Sequence, residues 1–257
     1  YQADLTRNRN SVNRLTARIR NALLTHLEPT EVRSSSGTLD AGRIWRGLYL
    51  DDDKVFTKVL KTDPGGLSVD ILLDASTSQL DRQETVASQG YMIAESLTRC
   101  GIPVRVSAFC SLSGYTVLTR YRDYQETDKN DHIFRYFTTG CNRDGLAIRA
   151  LGKEMEDSPC EHRMVILLSD AKPHDIKKLV LPNESLDYSQ DPGINNTAAE
   201  VRSLMHRDIA VVCVFTGDDE DVPAAHTIYG RNFARIRSLD QFADTVGTLI
   251  QTQIRNL

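Results

Sequence analysis

A doubly wound α/β domain is the fold this chain predicts, with a mostly parallel sheet, an antiparallel edge strand and an N-terminal helical extension. Three observations carry that expectation. Short runs of near-continuous Val, Ile and Leu, such as LSVDILLD at 67–74, RMVILLSD at 163–170 and IAVVCVF at 209–215, are what strands buried on both faces require. Segments with apolar residues at helical spacing alternate with these runs, which is the pattern of a parallel sheet covered by helices. At 257 residues, 40% hydrophobic and 26% charged, the chain is long enough for such a domain and too apolar for disorder.

Taken in order, Val12, Leu15, Ile19, Ala22, Leu23 and Leu27 form one helical stripe that Pro29 stops. SSSG at 34–37 reads as a turn, Asp40 is placed to cap a short helix through Trp45, and KVFTKVL at 54–60 alternates as a strand. Residues 1–66 are therefore expected to form a helical and extended segment packed on a main domain at 67–257. That domain opens with the turn signal PGG and the strand 67–74. Val86, Gln89, Tyr91, Ile93, Ala94 and Leu97 place most apolar groups of 82–99 on one helical face, with Gly101 as its terminator. IPVRVSAFC at 102–110 and YTVLTRYR at 115–122 alternate, and their short Ser/Gly connection predicts an antiparallel hairpin. A helix at 144–156, the strand at 163–170, a helix at 194–207 and the strand at 209–215 follow. A short helix at 221–229, a short strand at 233–236 and a helix at 239–254 complete the pattern.

Composition excludes several classes of function. With 31 basic and 35 acidic side chains, a net charge of -4 gives no whole-chain attraction to nucleic acid or to an anionic membrane. No apolar run approaches the ~20 residues a membrane-spanning helix needs. The opening YQADLTRNRN lacks a signal-peptide core and an initiator Met, as the tail of a longer protein would. Cys100, Cys110, Cys141, Cys160 and Cys213 are odd in number and form no CxxC pair, which suits reduced thiols in a cytoplasmic protein. The six histidines show no zinc-ligand spacing, and neither GxGxxG nor a Walker-type loop occurs. The acidic runs Asp51–Asp53 and Asp218–Asp221 read as solvated loops, and Arg7, Arg9, Arg14, Arg18 and Arg20 as a solvated helix face.

Chemistry is expected at the carboxyl ends of the strands, where open α/β sheets gather their sites. The first buried strand runs into DASTS, which sets Asp74, Ser76 and Ser78 at alternate positions. The second ends in Asp170, and the polar loop GCNRDG at 140–145 lies between them in sequence. Carboxylates plus hydroxyls make an all-oxygen site suited to Mg²⁺ or Mn²⁺. Because the hydroxyls are neutral, much of the ion's charge stays uncompensated, and the ion can take a carboxylate from a partner. Helix capping by Asp74, Ser76 and Ser78 is the competing structural reading. His174 and Asp175 suggest a hydrolase with Ser76 as nucleophile, but no GxSxG elbow surrounds that serine. A phosphotransferase of the haloacid-dehalogenase kind wants a second carboxylate where Ser76 stands.

DASTS after an apolar strand resembles the DxSxS motif of von Willebrand factor A (VWA) domains, which forms their metal ion-dependent adhesion site. The resemblance spans about residues 67–254. DASTSQLDRQE, GCNRDGLAIR and LLSDAKPHD, together with GRIWRG…KVF and IYGRNFARIRSLDQF, are similar to the VWA domains of nitric-oxide-reductase activation proteins. They are more distantly similar to a cobaltochelatase subunit. The resemblance implies a non-enzymatic adaptor that works with a MoxR-type AAA+ ATPase in activation of a target enzyme or insertion of its metal cofactor. It implies Asp74, Ser76, Ser78 and Asp170 as metal ligands, with an acidic side chain of a partner completing the site. Where such domains carry a second-loop threonine, this chain offers Asn142 or Asp144, and Ala171 replaces the glycine common after the third-loop aspartate. The alternative is a metal-dependent hydrolase or phosphotransferase at the same edge.

Overall fold

The computed structural model describes residues 2–26, 30–34, 36–50, 54–60, 66–180, 182–236 and 239–255. Helix α1 (Gln2–His26), β1 (Thr30–Ser34), β2 (Thr38–Leu39), α2 (Ile44–Leu50) and β3 (Phe56–Leu60) come first. Next are β4 (Leu67–Asp74), α3 (Gln83–Arg99), β5 (Val104–Leu112), β6 (Tyr115–Arg122), α4 (Asp144–Glu154) and β7 (His162–Ser169). The chain continues through β8 (Asp175–Val180), β9 (Ser185–Tyr188), α5 (Gln190–Met205), β10 (Ile209–Phe215), α6 (Val222–Tyr229), β11 (Phe233–Arg235) and α7 (Leu239–Arg255).

Six strands pair in the order β11-β10-β7-β4-β5-β6, parallel throughout except for the β5–β6 hairpin at one edge. The period of two along each strand divides the core into two layers. Val69, Ile71 and Leu73 of β4, with Met164, Ile166 and Leu168 of β7, face α1, α3 and α7. Leu72, Val165, Leu167, Val211 and Phe215 face α4, α5 and α6. The same alternation puts Asp70 and Asp74 on the α4 side. Asp70 pairs there with Arg105, whose Nε donates to Oδ1 at 2.5 Å, and accepts a hydrogen bond from the Tyr124 hydroxyl.

In the N-terminal segment, Val12, Leu15, Ile19 and Ala22 are buried in the same apolar layer as Phe242, Val246 and Ile250 of α7. The basic face of α1 is not simply solvated: Arg14 and Arg18 both pair with Asp244 of α7. Asp40 caps the following turn by accepting from the Gly42 amide at 3.1 Å. Beyond the expected strand at 54–60, β1 and β2 flank β3 in a small antiparallel sheet that the short TEVRS and TL runs did not announce. Leu27, Pro29, Asp51–Asp53, Pro64, Gly65 and the side chain of Arg7 lie outside the described residues.

The largely exposed run Asp218–Asp221 is a solvated loop as expected, and the structure adds its pairing. Asp218–Asp221 is a capped turn held by ion pairs, Asp218 with Arg82 at 2.6 Å, Asp221 with Lys172 at 2.8 Å and Asp219 with Arg235. Acid and base there come from different elements, so no local sequence pattern reveals the pairing. Residues 175–180 and 185–188, to which the sequence pattern assigns no element, form the β8–β9 hairpin. Its mostly exposed strands carry too few apolar residues to signal themselves.

Candidate metal centre

Adjacent strands β4 and β7 lie where the order of connections reverses: the chain leaves β4 toward β5 on one side and later returns to β7 on the other. That is where an open sheet leaves a crevice, and Asp74 and Asp170 both end up there. Asp74, Asp144 and Asp170 are buried, as are Ser76 and Asn142, whereas Ser78 is exposed and opens the cluster to solvent.

Backbone bonds hold the three loops together. Thr77 N donates to Gly140 O at 3.0 Å and Thr139 N to Ala75 O at 2.7 Å, which joins the first loop to the second. Asn142 and His174 exchange backbone hydrogen bonds of 2.9 and 3.0 Å, which joins the second to the third. The Tyr136 hydroxyl donates to the Asp74 carbonyl from below.

Within this frame Asp74 Oδ1 accepts from the Ser76 amide at 2.9 Å, a local turn bond of the kind the capping reading expected. Capping accounts for no more than that. Ser76 occupies the N-cap position of a 3₁₀ turn, yet its side chain makes no capping bond. Its Oγ lies instead 2.9 Å from Ser78 Oγ. Of the two second-loop candidates, Asn142 is engaged on both ends of its amide. Nδ2 donates to Asp74 Oδ2 at 3.2 Å and Oδ1 accepts from His174 N at 3.1 Å. Asp144 is the opposite case: among the described residues neither carboxylate oxygen makes a well-formed hydrogen bond, although the residue is buried and the Asn142 side chain lies near enough to offset part of the effect of burial.

The electrostatics follow. Burial, then the neighbouring Asp170, pushes the Asp74 carboxyl up to about 7. Burial, with Asp74 and Asp170 beside it, raises Asp144 well above the usual carboxylate range. Asp170 is raised by burial, partly offset by the Ser78 hydroxyl, the Lys172 amide and the Lys172 charge. Three buried carboxylates thus share one edge, with no cationic side chain among the described residues at hydrogen-bonding distance. A divalent ion would supply the missing charge, and the orphaned Asp144 oxygens, the Asp74 and Asp170 carboxylates and the paired hydroxyls are hard donors of the right kind. Among the described residues no three His, Cys, Asp or Glu side chains converge closely enough to hold an ion by themselves. An ion held at this edge would therefore need the hydroxyls as well as the carboxylates.

Ala171 takes φ of +58°, the left-handed conformation that glycine adopts without strain, so the replacement keeps the loop shape at a conformational cost. Asp175 pairs with Arg143 at 3.2 Å, and among the described residues no hydrogen bond joins Ser76 to a histidine. The nucleophile–base–orienter chain of a serine hydrolase is not assembled there. Sequence reasoning missed Ser169, whose Oγ reaches Asp74 Oδ2 at 3.5 Å, and Tyr188 and Arg143, discussed below. A serine one residue before Asp170 was the available signal for the first, and none existed for Tyr188.

No family model matches the chain. It is 22% identical over 195 residues to the uncharacterized protein YojO of Bacillus subtilis (strain 168), covering 70% of this chain and 29% of that one. The chain therefore spans about three-tenths of that relative's length. Among solved structures it resembles the vWF domain of the pilus tip protein Mfa5 from Porphyromonas gingivalis, with a TM-score of 0.55 at 12% identity over 74% of this chain and 97% of that. It also resembles the manganese-loaded TRAP protein of Plasmodium vivax, with a TM-score of 0.51 at 14% identity over 74% of each chain. The pilus adhesin SpaC of Lactobacillus rhamnosus GG matches with a TM-score of 0.53 at 15% identity, over 78% of this chain and 31% of that one. At such identities the likeness concerns the fold: the chain has the VWA-type α/β fold.

Proposed function

We propose that this protein is a non-enzymatic adaptor that binds a divalent cation, Mg²⁺ or Mn²⁺, at the carboxyl edge of its sheet and uses it to recognise a carboxylate on a partner protein. The observation that carries this reading is the buried carboxylate of Asp144, which makes no well-formed hydrogen bond among the described residues, beside Asp74 and Asp170. Asp74, Ser76, Ser78, Asp144 and Asp170 would hold the ion, and Asn142 would orient Asp74 and the third loop rather than ligate. When bound, the ion supplies a Lewis-acidic position for an incoming carboxylate. The manganese-loaded state of the similar TRAP structure supports a divalent ion in this fold. A cleft of about 710 Å³ beside the third loop, lined among others by Lys172, His174, Asp191 and Ile194, gives a partner room to approach.

The partner we propose is a MoxR-type AAA+ ATPase, acting with this chain on a target enzyme that needs activation or a metal cofactor. This rests on the segments that resemble nitric-oxide-reductase activation proteins. A cytoplasmic location accords with the five cysteines, all of them free thiols. No helix among the described residues is long and apolar enough to cross a membrane.

The test is capture of the organism's MoxR-type ATPase by the purified protein, with Mg²⁺ and with chelator, beside the Ser76→Ala variant. Capture that needs the ion and is lost in the variant supports the reading. Capture indifferent to both overturns the metal-bridged mechanism, and sustained Mg²⁺-dependent hydrolysis of phosphoesters by the protein alone overturns the adaptor assignment.

A further inference from the structure

Helix α4 begins in an unusual way. Its N-cap residue is Arg143, which has no side-chain acceptor to satisfy the first free amides, and no side-chain capping bond is present there. The missing acceptor comes from the β8–β9 hairpin. Tyr188, fully buried at the end of β9, accepts the Gly145 amide on its hydroxyl at 3.1 Å and donates to Asn196 Oδ1 of α5 at 3.2 Å. Arg143 itself turns to the same hairpin. Its guanidinium lies 4.6 Å from the Tyr188 ring centroid, Nη1 donates to Asp175 Oδ2 at 3.2 Å and Lys177 O at 3.0 Å, and Nη2 to Lys178 O at 3.3 Å. Asp144 sits between these two anchored residues. A Cβ on Gly145 would meet Asn196 Oδ1 at 2.3 Å and the Tyr188 hydroxyl at 3.2 Å, so a side chain there would displace Asn196 from Tyr188.

We infer that the β8–β9 hairpin is a clasp that positions Asp144 in the metal centre, with Tyr188 and Arg143 as positioning residues that do not touch the ion. The inference rests on the metal-centre reading above. Physically, neither Asp144 oxygen makes a well-formed hydrogen bond among the described residues, so the direction of the carboxyl depends chiefly on its backbone. The Tyr188 hydroxyl and the Arg143 fork hold that backbone on both sides. Supporting groups of this kind are worth about 10–100-fold in metal affinity when removed.

The experiment is Mn²⁺ titration of the whole chain, followed by calorimetry and by the Mn²⁺ electron paramagnetic resonance spectrum. The variants are Tyr188→Phe, Gly145→Ala, Asp74→Ala and, as a stability comparator, Leu151→Ala in the buried face of α4. Tyr188→Phe keeps the ring and loses only the hydroxyl; it is expected to weaken Mn²⁺ binding about 10-fold and to change the spectrum of the bound ion. Gly145→Ala should do the same, whereas Leu151→Ala should melt earlier yet bind Mn²⁺ as the wild type does. Wild-type affinity and spectrum in Tyr188→Phe and Gly145→Ala, with binding lost in Asp74→Ala, overturns the clasp and leaves the metal centre standing. No Mn²⁺ binding by the wild type overturns both.

Discussion

Replacing Asp144 by Asn tests the metal centre most directly, because it is predicted to move stability in opposite directions with and without the ion. The substitution keeps shape and removes the charge of a buried carboxylate that makes no well-formed hydrogen bond among the described residues. A buried polar group left unsatisfied costs about 1–3 kcal/mol, more when charged. The amide is itself unpaired, so only the cost of the charge is relieved: where Asp144 is ionised, the metal-free variant should be more stable than the wild type by on the order of 1 kcal/mol or more. At roughly 2–4 °C per kcal/mol for a domain of this size, that is a few degrees in the melting temperature. The advantage should shrink as the pH falls, because burial and the neighbouring Asp74 and Asp170 hold Asp144 well above the ordinary carboxylate range and favour its protonated form in the wild type. With metal the order reverses. An ion at about 100 times its Kd stabilises the wild type by about 2.7 kcal/mol, and the variant, short of one anionic ligand, should gain much less. Differential scanning calorimetry in chelator and in Mn²⁺ reads both effects. A metal-free variant that melts at or below the wild type refutes the claim that Asp144 is an uncompensated charge. An unchanged metal-induced shift refutes its place in the donor set.

Three further outcomes follow from the same physics. Asp74 is pushed up to about 7 in the folded state against about 4 in an unfolded chain. Its contribution to stability is full below pH ~4 and lost as the pH rises through about 7, so chelator-treated protein should lose stability between about pH 4 and 7. Asp74→Asn should flatten that slope, and an identical slope in the variant, measured by urea denaturation, would contradict the assignment. Arg105→Ala leaves Asp70 buried without its charge partner and should cost about 3–5 kcal/mol in urea denaturation, well above a surface ion pair. Ile19→Ala, in the fully buried stripe of α1, should cost about 2–5 kcal/mol and keep a single calorimetric transition. A separate low-temperature transition would mean that α1 melts apart from the sheet.

Strands β4, β7 and β10 were legible because burial on both faces demands unbroken Val, Ile and Leu, and few other contexts tolerate such runs. The hairpin β5–β6 was legible from alternation and a short Ser/Gly connection. The small strands β1, β2, β8 and β9 were not, since they bury too little to impose a pattern on their residues. At the site, Asp74, Ser76, Ser78 and Asp170 could be named from sequence because a strand end fixes where the next residues project. Asn142 and Asp144 could not be told apart, since both fit the polar loop equally and differ only in their partners across space.

Sequence by itself thus determined the order of elements, the sheet edge that gathers the polar residues and the hard-oxygen chemistry of that edge, because all three depend on periodicity and residue type. Tertiary structure decided which carboxylate is orphaned, that Asn142 is already engaged by Asp74 and His174, and that Tyr188 caps α4 from a hairpin more than forty residues away. Those are relations between groups brought together only by the packing of loops. Burial then sets their energies, and no local pattern encodes burial.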